Sequence, residues 1–211
     1  MTKNFAQNDS TDSLGRNREN TEDRLLKAAM KVFSKRGYHG ASVAEIARSA
    51  RANVSLINRY FGGKEGLFLA LVEGVIVEKQ SGKLTYPPYP ALADEVLAYL
   101  KFRYREDKKL RDFMRLCVGE IATNDELRGK ALSSLRYGQD DNFQERLIDL
   151  QHSGTIKQDA DLEKLFRMIS LISFSASFVE RELVGMPERA TESVFETFST
   201  MIEREFGSSA A

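Results

Sequence analysis

The chain has 211 residues, of which 42% are hydrophobic and 29% charged, a composition typical of folded proteins and sufficient for one large or two small domains. Its longest charge-free apolar stretch, residues 168–179, is too short to cross a bilayer, and the first twenty residues contain no secretory signal, so we expect a cytoplasmic protein that makes no membrane contact. The net charge is zero, but residues 1–80 carry +4 and residues 81–211 carry −4, which suggests that the first part meets an anionic polymer.

The beginning of the chain predicts a tail and two helices. Residues 1–20 contain few apolar side chains, so we expect a flexible tail. Apolar residues at helical spacing then predict a first helix that stops at Gly37. Ser42 and Glu45 have the spacing of a capping box, in which each residue binds the backbone amide of the other. This pattern predicts a second, short helix.

A third helix and a long fourth helix follow. Asn53 is suited to cap the third helix, which runs to Tyr60 with Ile57 facing inward, and a Gly-Gly pair ends it. The fourth helix is predicted from Lys64 to about Ser81.

The rest of the chain also has helical periodicity. Apolar faces predict a fifth and a sixth helix between residues 92 and 121, a long polar helix over 125–151, and two terminal helices over 161–184 and 188–206. No segment shows the sustained alternation of a strand. We therefore predict an all-α protein of about nine helices, divided into a tail (1–20), a first domain (21–81) and a second domain (82–211).

Residues 42–61 have the length and layout of a helix-turn-helix motif. Opposite Ile57, the second helix of this motif carries small, amide and guanidinium side chains rather than the Glu and Lys of an ordinary solvated face. Arg can bind guanine and Asn can bind adenine through two hydrogen bonds each, and Val or Ser can contact the thymine methyl group. Helix starts and basic side chains around this face are suited to phosphates. The motif therefore predicts double-stranded DNA as a partner.

Residues 21–71 resemble the N-terminal DNA-binding domain of the TetR family of bacterial transcriptional regulators (TetR/AcrR-like). The similarity rests on an AA pair and F-x-x-x-G in the first helix, S-V-x-x-I-A in the second and Y-F-x-x-K-E-x-L after the third. By this resemblance, the base-reading segment falls on Asn53, Val54, Ser55, Leu56, Asn58 and Arg59. The phosphate contacts fall on Ser42, Val43, Tyr60 and Lys64.

Two residues depart from the family pattern. The family usually has Gly at the turn and Tyr in the recognition helix, where this chain has Arg51 and Asn58. Arg51 is expected to adopt the left-handed backbone that Gly takes freely, at a cost of about 1–2 kcal/mol. Asn58 replaces a ring that contacts the DNA backbone by an amide that can read adenine.

The resemblance implies that the second domain forms a homodimer and binds a small-molecule effector. The two terminal helices carry apolar stripes that can form a four-helix bundle between two subunits or an ordinary helix crossing within one subunit, and the pattern does not separate these alternatives. The stripes contain Leu165, Ile169, Ile172, Ala176 and Val179 on one helix, and Val194, Phe198, Met201 and Ile202 on the other.

A largely apolar effector is expected between the fourth and eighth helices, and its binding would release a repressor from a palindromic operator by changing the spacing of the two DNA-binding domains. Residues of this kind more often belong to an ordinary core than to a ligand site. The candidate ligand-binding residues are Phe68, Leu71, Val75, Tyr99, Phe102, Phe113, Cys117 and Ile121.

The sequence is less consistent with two other classes of function. The two histidines and one cysteine do not have metal-ligand spacing, and residues 62–65 lack the glycine and hydroxyl positions of a phosphate loop, so we expect no enzyme activity, no metal and no cofactor. The second alternative is a helical ligand- or protein-binding module that no longer binds DNA specifically, motivated by Arg51 and Asn58. Cys117 is expected to be a small buried hydrophobe rather than a redox sensor.

Overall fold

The computed structural model describes residues 9–134 and 140–208, with side chains from residue 18 onward except at 79–80 and 132–134, and within these ranges the protein is all-α. A π-helical segment (Ser175–Val184), here called the π segment, continues directly from the α-helix Leu162–Phe174. None of the described helices combines the length and apolarity that a bilayer crossing requires. The α-helices are α1 (Asp9–Gly40), α2 (Val43–Ser49), α3 (Val54–Phe61), α4 (Lys64–Ser81), α5 (Leu92–Lys109), α6 (Arg111–Thr123), α7 (Asp125–Ser134), α8 (Asp141–His152), α9 (Leu162–Phe174) and α10 (Glu188–Phe206).

Helix α1 differs from its prediction at its start. It begins at Asp9, within the range that was expected to be a flexible tail, and residues 1–8 lie outside the described part of the chain. Near its end, Gly37 has a φ of 72° and interrupts the helical backbone, as the sequence predicted.

The contacts divide the described chain into two compact units. Residues 9–75 and 116–134 form the first unit, and residues 76–115 and 140–208 form the second. This division differs from the predicted boundary after residue 81, because it groups residues 116–134 with the first unit and falls within both α4 and α6. The assignment of separate functions to the two domains stays a prediction.

The core of the first unit is built where α1, α2 and α3 meet. Leu25 and Phe33 of α1, Ile46 of α2 and Ile57 of α3 are fully buried. The rings of Phe33 and Phe68 pack edge to face with centroids 5.5 Å apart, which is a favourable geometry for two aromatic side chains. This apolar centre fixes which faces of α2 and α3 point to solvent.

The core of the second unit lies between α5 and the helices that pack against it, α9 and α10. The rings of Tyr99 and Phe143 stack with centroids 3.7 Å apart. The buried Glu95 carboxylate is compensated by three donors, since it accepts hydrogen bonds from the Tyr86 hydroxyl, the Tyr89 amide and Arg146. These partners offset the cost of removing Glu95 from water.

The prediction of one long helix over residues 125–151 was wrong. Helix α7 ends at Ser134, residues 135–139 lie outside the described part, and Asp140 is an extended N-cap at the start of α8. The Asp140 carboxylate accepts hydrogen bonds from the Phe143 amide at 3.1 Å and from the Tyr99 hydroxyl at 3.2 Å. This buried capping arrangement requires a break that polar periodicity does not reveal.

The terminal helices have the predicted limits, but their apolar stripes divide into buried and exposed parts. Leu165, Ile169, Ala176 and Ile202 are buried. In contrast, the exposed fraction of the residue surface is 40% for Val179, 45% for Val194 and 59% for Met201. One chain therefore leaves part of each stripe uncovered.

A short antiparallel bridge joins the end of α10 to the loop that follows α8. Ile156 pairs with Gly207. The Lys157 amide donates to the Phe206 carbonyl at 2.9 Å, and the Ser208 amide donates to the Thr155 carbonyl at 2.8 Å. These bonds provide partners for backbone groups just beyond the last helix.

Candidate nucleic-acid interface

Helix α2 is fixed by its cap and by its apolar face. The Ser42 hydroxyl accepts a hydrogen bond from the Glu45 amide at 3.1 Å, which is one of the two bonds of the predicted capping box. The Glu45 carboxylate lies 3.5 Å from Arg36 Nε. Ile46 and Ala47 are buried, so the opposite side of this short helix faces solvent.

The turn between α2 and α3 contains a strained residue. Arg51 has a φ of 52°, and the Ala52 amide donates to the Ala47 carbonyl at 2.9 Å. The expectation of a left-handed backbone at Arg51 is confirmed. A side chain with a Cβ pays a steric cost in this conformation that glycine avoids.

Helix α3 begins at a capped residue and ends at a glycine. Asn53 Oδ1 accepts hydrogen bonds from the Ser55 amide and the Ser55 hydroxyl, both at 2.9 Å. Gly62, with a φ of 74°, ends the helix. Ile57 is fully buried, which determines the rotation of α3 about its axis.

The face of α3 opposite Ile57 is open to solvent. Its residues include amide, hydroxyl and guanidinium groups that can bind base edges in the major groove. Of the predicted base-reading residues, Leu56 is half-buried, and the exposed ones are Asn53, Val54, Ser55, Asn58 and Arg59.

The predicted phosphate contacts lie in the same unit as this face. Ser42 is exposed, whereas Val43, Tyr60 and Lys64 are half-buried. Lys64 Nζ donates to the His39 carbonyl at 3.4 Å and lies 4.6 Å from the centre of the Tyr38 ring. Burial lowers the pKa of Lys64, and the nearby Glu120 carboxylate opposes this shift. The ammonium group is thus held at the end of α1, close to the start of α4.

Arg18 is a residue that the sequence reasoning missed. Its guanidinium carbon lies 5.1 Å from the centre of the Tyr60 ring, and its Nε donates to Glu22 at 2.7 Å. The only sequence signal was the four-residue spacing of Arg18 and Glu22, which is favourable on a helix. This single pair does not outweigh the low apolar content of residues 1–20, which predicts a tail. Arg18 adds a positive charge beside Tyr60.

The predicted ligand-binding residues are distributed over both units. All are buried except Ile121, which is half-buried. Burial raises the pKa of Cys117 to about 12, with Glu120 adding to the shift, so the reactive thiolate is disfavoured. The first unit contains Phe68, Leu71, Val75, Cys117 and Ile121, and the second contains Tyr99, Phe102 and Phe113.

A cleft of about 360 Å³ lies in the second unit, on α9 and α10. Its walls include Met168, Phe198, Met201 and Ile202, which do not belong to the predicted ligand-binding set. Because Met201 is largely exposed, the cleft opens onto the uncovered apolar stripe of α10. Within the described chain, no group of three or more His, Cys, Asp or Glu residues is arranged to hold a metal ion.

Comparison with known proteins connects the α2-turn-α3 geometry with a family. Residues 25–71 match the family model described as bacterial regulatory proteins, tetR family. The HTH-type transcriptional repressor NicS of Pseudomonas putida is 44% identical over 57 residues, which cover 27% of this chain and 27% of that protein. The HTH-type transcriptional regulator HbdR of Aromatoleum sp. is 29% identical over 123 residues, covering 50% and 54%. The chain therefore spans about a quarter and about half the length of these two relatives.

The similarity of fold extends over most of the chain. A crystal structure from Rhodococcus sp., assigned to TetR-family transcriptional regulators, has a TM-score of 0.66 to this protein at 13% identity. The match covers 88% of this chain and 99% of that one. At this level of identity, the comparison concerns the fold alone.

Proposed function

We propose that this chain, which belongs to the TetR family of bacterial regulatory proteins, is a sequence-specific DNA-binding transcriptional regulator. The observation that carries the proposal is the orientation of α3. Ile57 is fully buried, whereas Asn58 and Arg59, which follow it directly, are exposed. The amide and the guanidinium can therefore enter a major groove without any rearrangement of the first unit.

Repression is the mode of regulation that we propose. A protein bound at a promoter excludes polymerase sterically, and this needs no second contact surface for activation. The similarity to a transcriptional repressor over the DNA-binding segment supports this choice. A small, largely apolar effector would end repression by favouring a conformation that no longer fits the operator.

We further propose that the protein acts as a homodimer. The exposed apolar residues Val179, Val194 and Met201 lie on the last two helical elements of the second unit. Pairing these stripes about a two-fold axis would remove them from water. A dimer of this kind would read a palindromic operator whose half-sites are about 34–36 Å apart.

The test is binding to the DNA upstream of the chain's own gene. The full-length protein should shift this fragment at about 0.15 M salt in the presence of excess random DNA, because specific contacts survive competition and salt better than phosphate contacts alone. If random DNA removes the protein as effectively as unlabelled upstream fragment, specific recognition is excluded, and a helical module that has lost this property becomes the better description.

Two substitutions separate base reading from phosphate binding. Asn58→Ala should weaken binding to the specific site by a factor of about 10 and relax the preference at one base pair of each half-site, with little effect on random DNA. Lys64→Ala should weaken specific and random DNA alike and flatten the dependence of affinity on salt. Arg189→Ala, which removes one exposed positive charge from the second unit, is the matched control. Equal losses on both kinds of DNA for Asn58→Ala contradict its base-reading role.

A further inference from the structure

The π segment presents a fixed arginine to α5. Arg181 Nη1 donates to the Tyr104 carbonyl at 2.6 Å, and the guanidinium carbon lies 4.0 Å from the centre of the Tyr104 ring. Only 14% of the Arg181 side chain is exposed. The hydrogen bond and the cation–π contact together hold the plane of the guanidinium in one orientation.

One edge of this guanidinium has no hydrogen-bond acceptor. Arg181 Nε and Nη2 are closed to water, and neither has a hydrogen-bond partner within residues 9–134 and 140–208. These two nitrogens point their N–H groups to the same side, and this pair is the fork that binds both oxygens of a carboxylate. Buried donors without acceptors are rare in folded proteins and call for a physical explanation.

Ser177 provides a third unsatisfied group four residues earlier on the same segment. It is 6% exposed, and its hydroxyl also has no hydrogen-bond partner in the described part of the protein. Residues four apart on a helical segment lie on one face. The other buried hydroxyl groups nearby are satisfied, since Ser199 donates to the Phe195 carbonyl and Thr191 donates to Glu180. The lack of a partner thus distinguishes the Ser177 hydroxyl from the hydroxyls of Ser199 and Thr191.

Glu182 lies beside the open edge without occupying it. Its Oε1 is 3.5 Å from Arg181 Nε, and the two groups form an ion pair without a hydrogen bond. Glu182 balances the charge of the guanidinium in the absence of a ligand. Because its side chain is only 8% exposed, a group that enters this edge must move the Glu182 carboxylate aside.

We propose that Ser177 and Arg181 bind the carboxylate group of the effector. The inference rests on the proposed function and specifies its ligand as an apolar molecule with one carboxylate. The carboxylate would accept from Arg181 Nε and Nη2 and from the Ser177 hydroxyl, displacing Glu182. The stacked rings of Phe174 and Phe178, on the same stretch of chain, provide apolar surroundings for the rest of the ligand. A dianionic group is less suitable, because Glu182 already adds a negative charge at this edge.

The experiment follows the Nε–H resonance of Arg181 in the full chain without DNA, titrated with sodium acetate and, separately, with sodium chloride at the same ionic strength. Acetate is the carboxylate alone, so the test does not depend on the identity of the apolar part. The wild type should show a saturable change with acetate and not with chloride. Arg181→Lys identifies the resonance by its loss, and Arg167→Gln, which alters an exposed arginine on α9, should leave the acetate titration unchanged.

Two further variants test the roles of Ser177 and Glu182 in acetate binding. Ser177→Ala should weaken acetate binding by a factor of about 3 to 10, the effect of one hydrogen bond, while the melting temperature without acetate stays the same or rises. Glu182→Gln should strengthen acetate binding, because the competing charge is removed. An acetate response equal to that of chloride, or an affinity unchanged by both variants, overturns the proposal.

This readout is independent of DNA binding. If the operator is bound but acetate gives no specific response, the carboxylate site is rejected and the proposed function stands. If acetate binds at Arg181 but the upstream fragment is not recognised, the proposed function is rejected instead.

Discussion

Residue by residue, α3 and its turn combine structural and recognition roles. Asn53 Oδ1 is occupied by the amide and the hydroxyl of Ser55, so these two residues already have partners within the protein. The amide nitrogen of Asn53 is still a donor for a base or a phosphate. In contrast, Asn58 and Arg59 are exposed and follow the only fully buried residue of α3, Ile57. We therefore expect Asn58 and Arg59, more than Asn53 and Ser55, to form hydrogen bonds with bases.

Arg51→Gly should stabilise the protein. The left-handed backbone at Arg51 costs a residue with a Cβ about 1–2 kcal/mol, and glycine removes this cost. The greater conformational entropy of glycine in the unfolded chain offsets part of the resulting stabilisation. We expect the free energy of unfolding to rise by about 0.5–1 kcal/mol, which corresponds to a few degrees in melting temperature.

Arg48→Gly is the control for this substitution, because Arg48 is an exposed arginine within α2. The same replacement at a helical position should lower the free energy of unfolding by up to about 1 kcal/mol. Thermal and denaturant unfolding without DNA measure both effects. A melting temperature that falls for Arg51→Gly as well contradicts the assignment of strain to Arg51.

At the scale of helices, the sequence was most informative where capping residues and breakers are explicit. Ser42, Asn53 and Gly62 define the limits of α2 and α3 through backbone geometry that each residue type favours. The start of α1 was missed because residues 9–20 have little apolar surface. The exposed face of α3 could be predicted from the position of Ile57, since one buried residue determines the rotation of a short helix.

Two other features could not be predicted, because they depend on tertiary contacts. The break before α8 is stabilised by the contact of Asp140 with Tyr99, 41 residues earlier in the chain. The change from α9 to the π segment leaves the helical periodicity almost intact, so the apolar pattern does not reveal it. The lack of hydrogen-bond acceptors at Arg181 Nε and Nη2 also depends on tertiary contacts, so the sequence does not predict it.

Asp140 offers a test of the break between α7 and α8. Asp140→Ala should lower the free energy of unfolding by about 2–4 kcal/mol, because it removes the cap of α8 and leaves the buried Tyr99 hydroxyl without its acceptor. Asp140→Asn retains a capping oxygen and should cost less than about 1 kcal/mol. Denaturant unfolding measures both variants, and equal losses would show that the cap is unimportant.

The pH dependence of the Asn variant provides a second measurement. Burial raises the pKa of Asp140 in the folded protein, although the Phe143 amide and Arg103 oppose the shift. The folded state therefore holds this proton more tightly than the unfolded state. Relative to Asp140→Asn, the wild type should lose stability as the pH rises from the unfolded pKa to the folded pKa, and the difference should be constant above that interval.

For the molecule as a whole, zero net charge conceals two regions of opposite charge. The first eighty residues are basic and contain the α2-turn-α3 motif, and the remainder is acidic. The second unit carries the uncovered apolar stripes on the π segment and α10. A basic region for DNA and an apolar surface for a second copy are the two features that a dimeric regulator requires.

Val194→Glu and Met201→Glu should each disrupt the proposed dimer. These residues are seven apart on one stripe of α10, and a two-fold interface would bury each introduced carboxylate twice. An unpaired buried charge should raise the dissociation constant of the dimer by about a hundredfold or more. Size-exclusion chromatography with light scattering measures the mass of each variant.

Thr200→Glu introduces the same charge at an exposed position that lies about 100° around α10 from Met201. It should leave the mass of the protein in solution the same as that of the wild type. If the wild type elutes with the mass of one chain at micromolar concentration, or if all three variants remain dimeric, this surface is not the subunit interface.

The short pairing of residues 155–157 with 206–208 has a consequence for how the chain opens. Helix ends usually fray before the rest of a protein unfolds, but the last turn of α10 is tied to a loop about fifty residues away. The amides of Lys157 and Ser208 are thereby protected from exchange with deuterated solvent until that tie is broken. Proteolytic cleavage at this end of the chain should therefore require cooperative unfolding of α10 rather than fraying of its last turn.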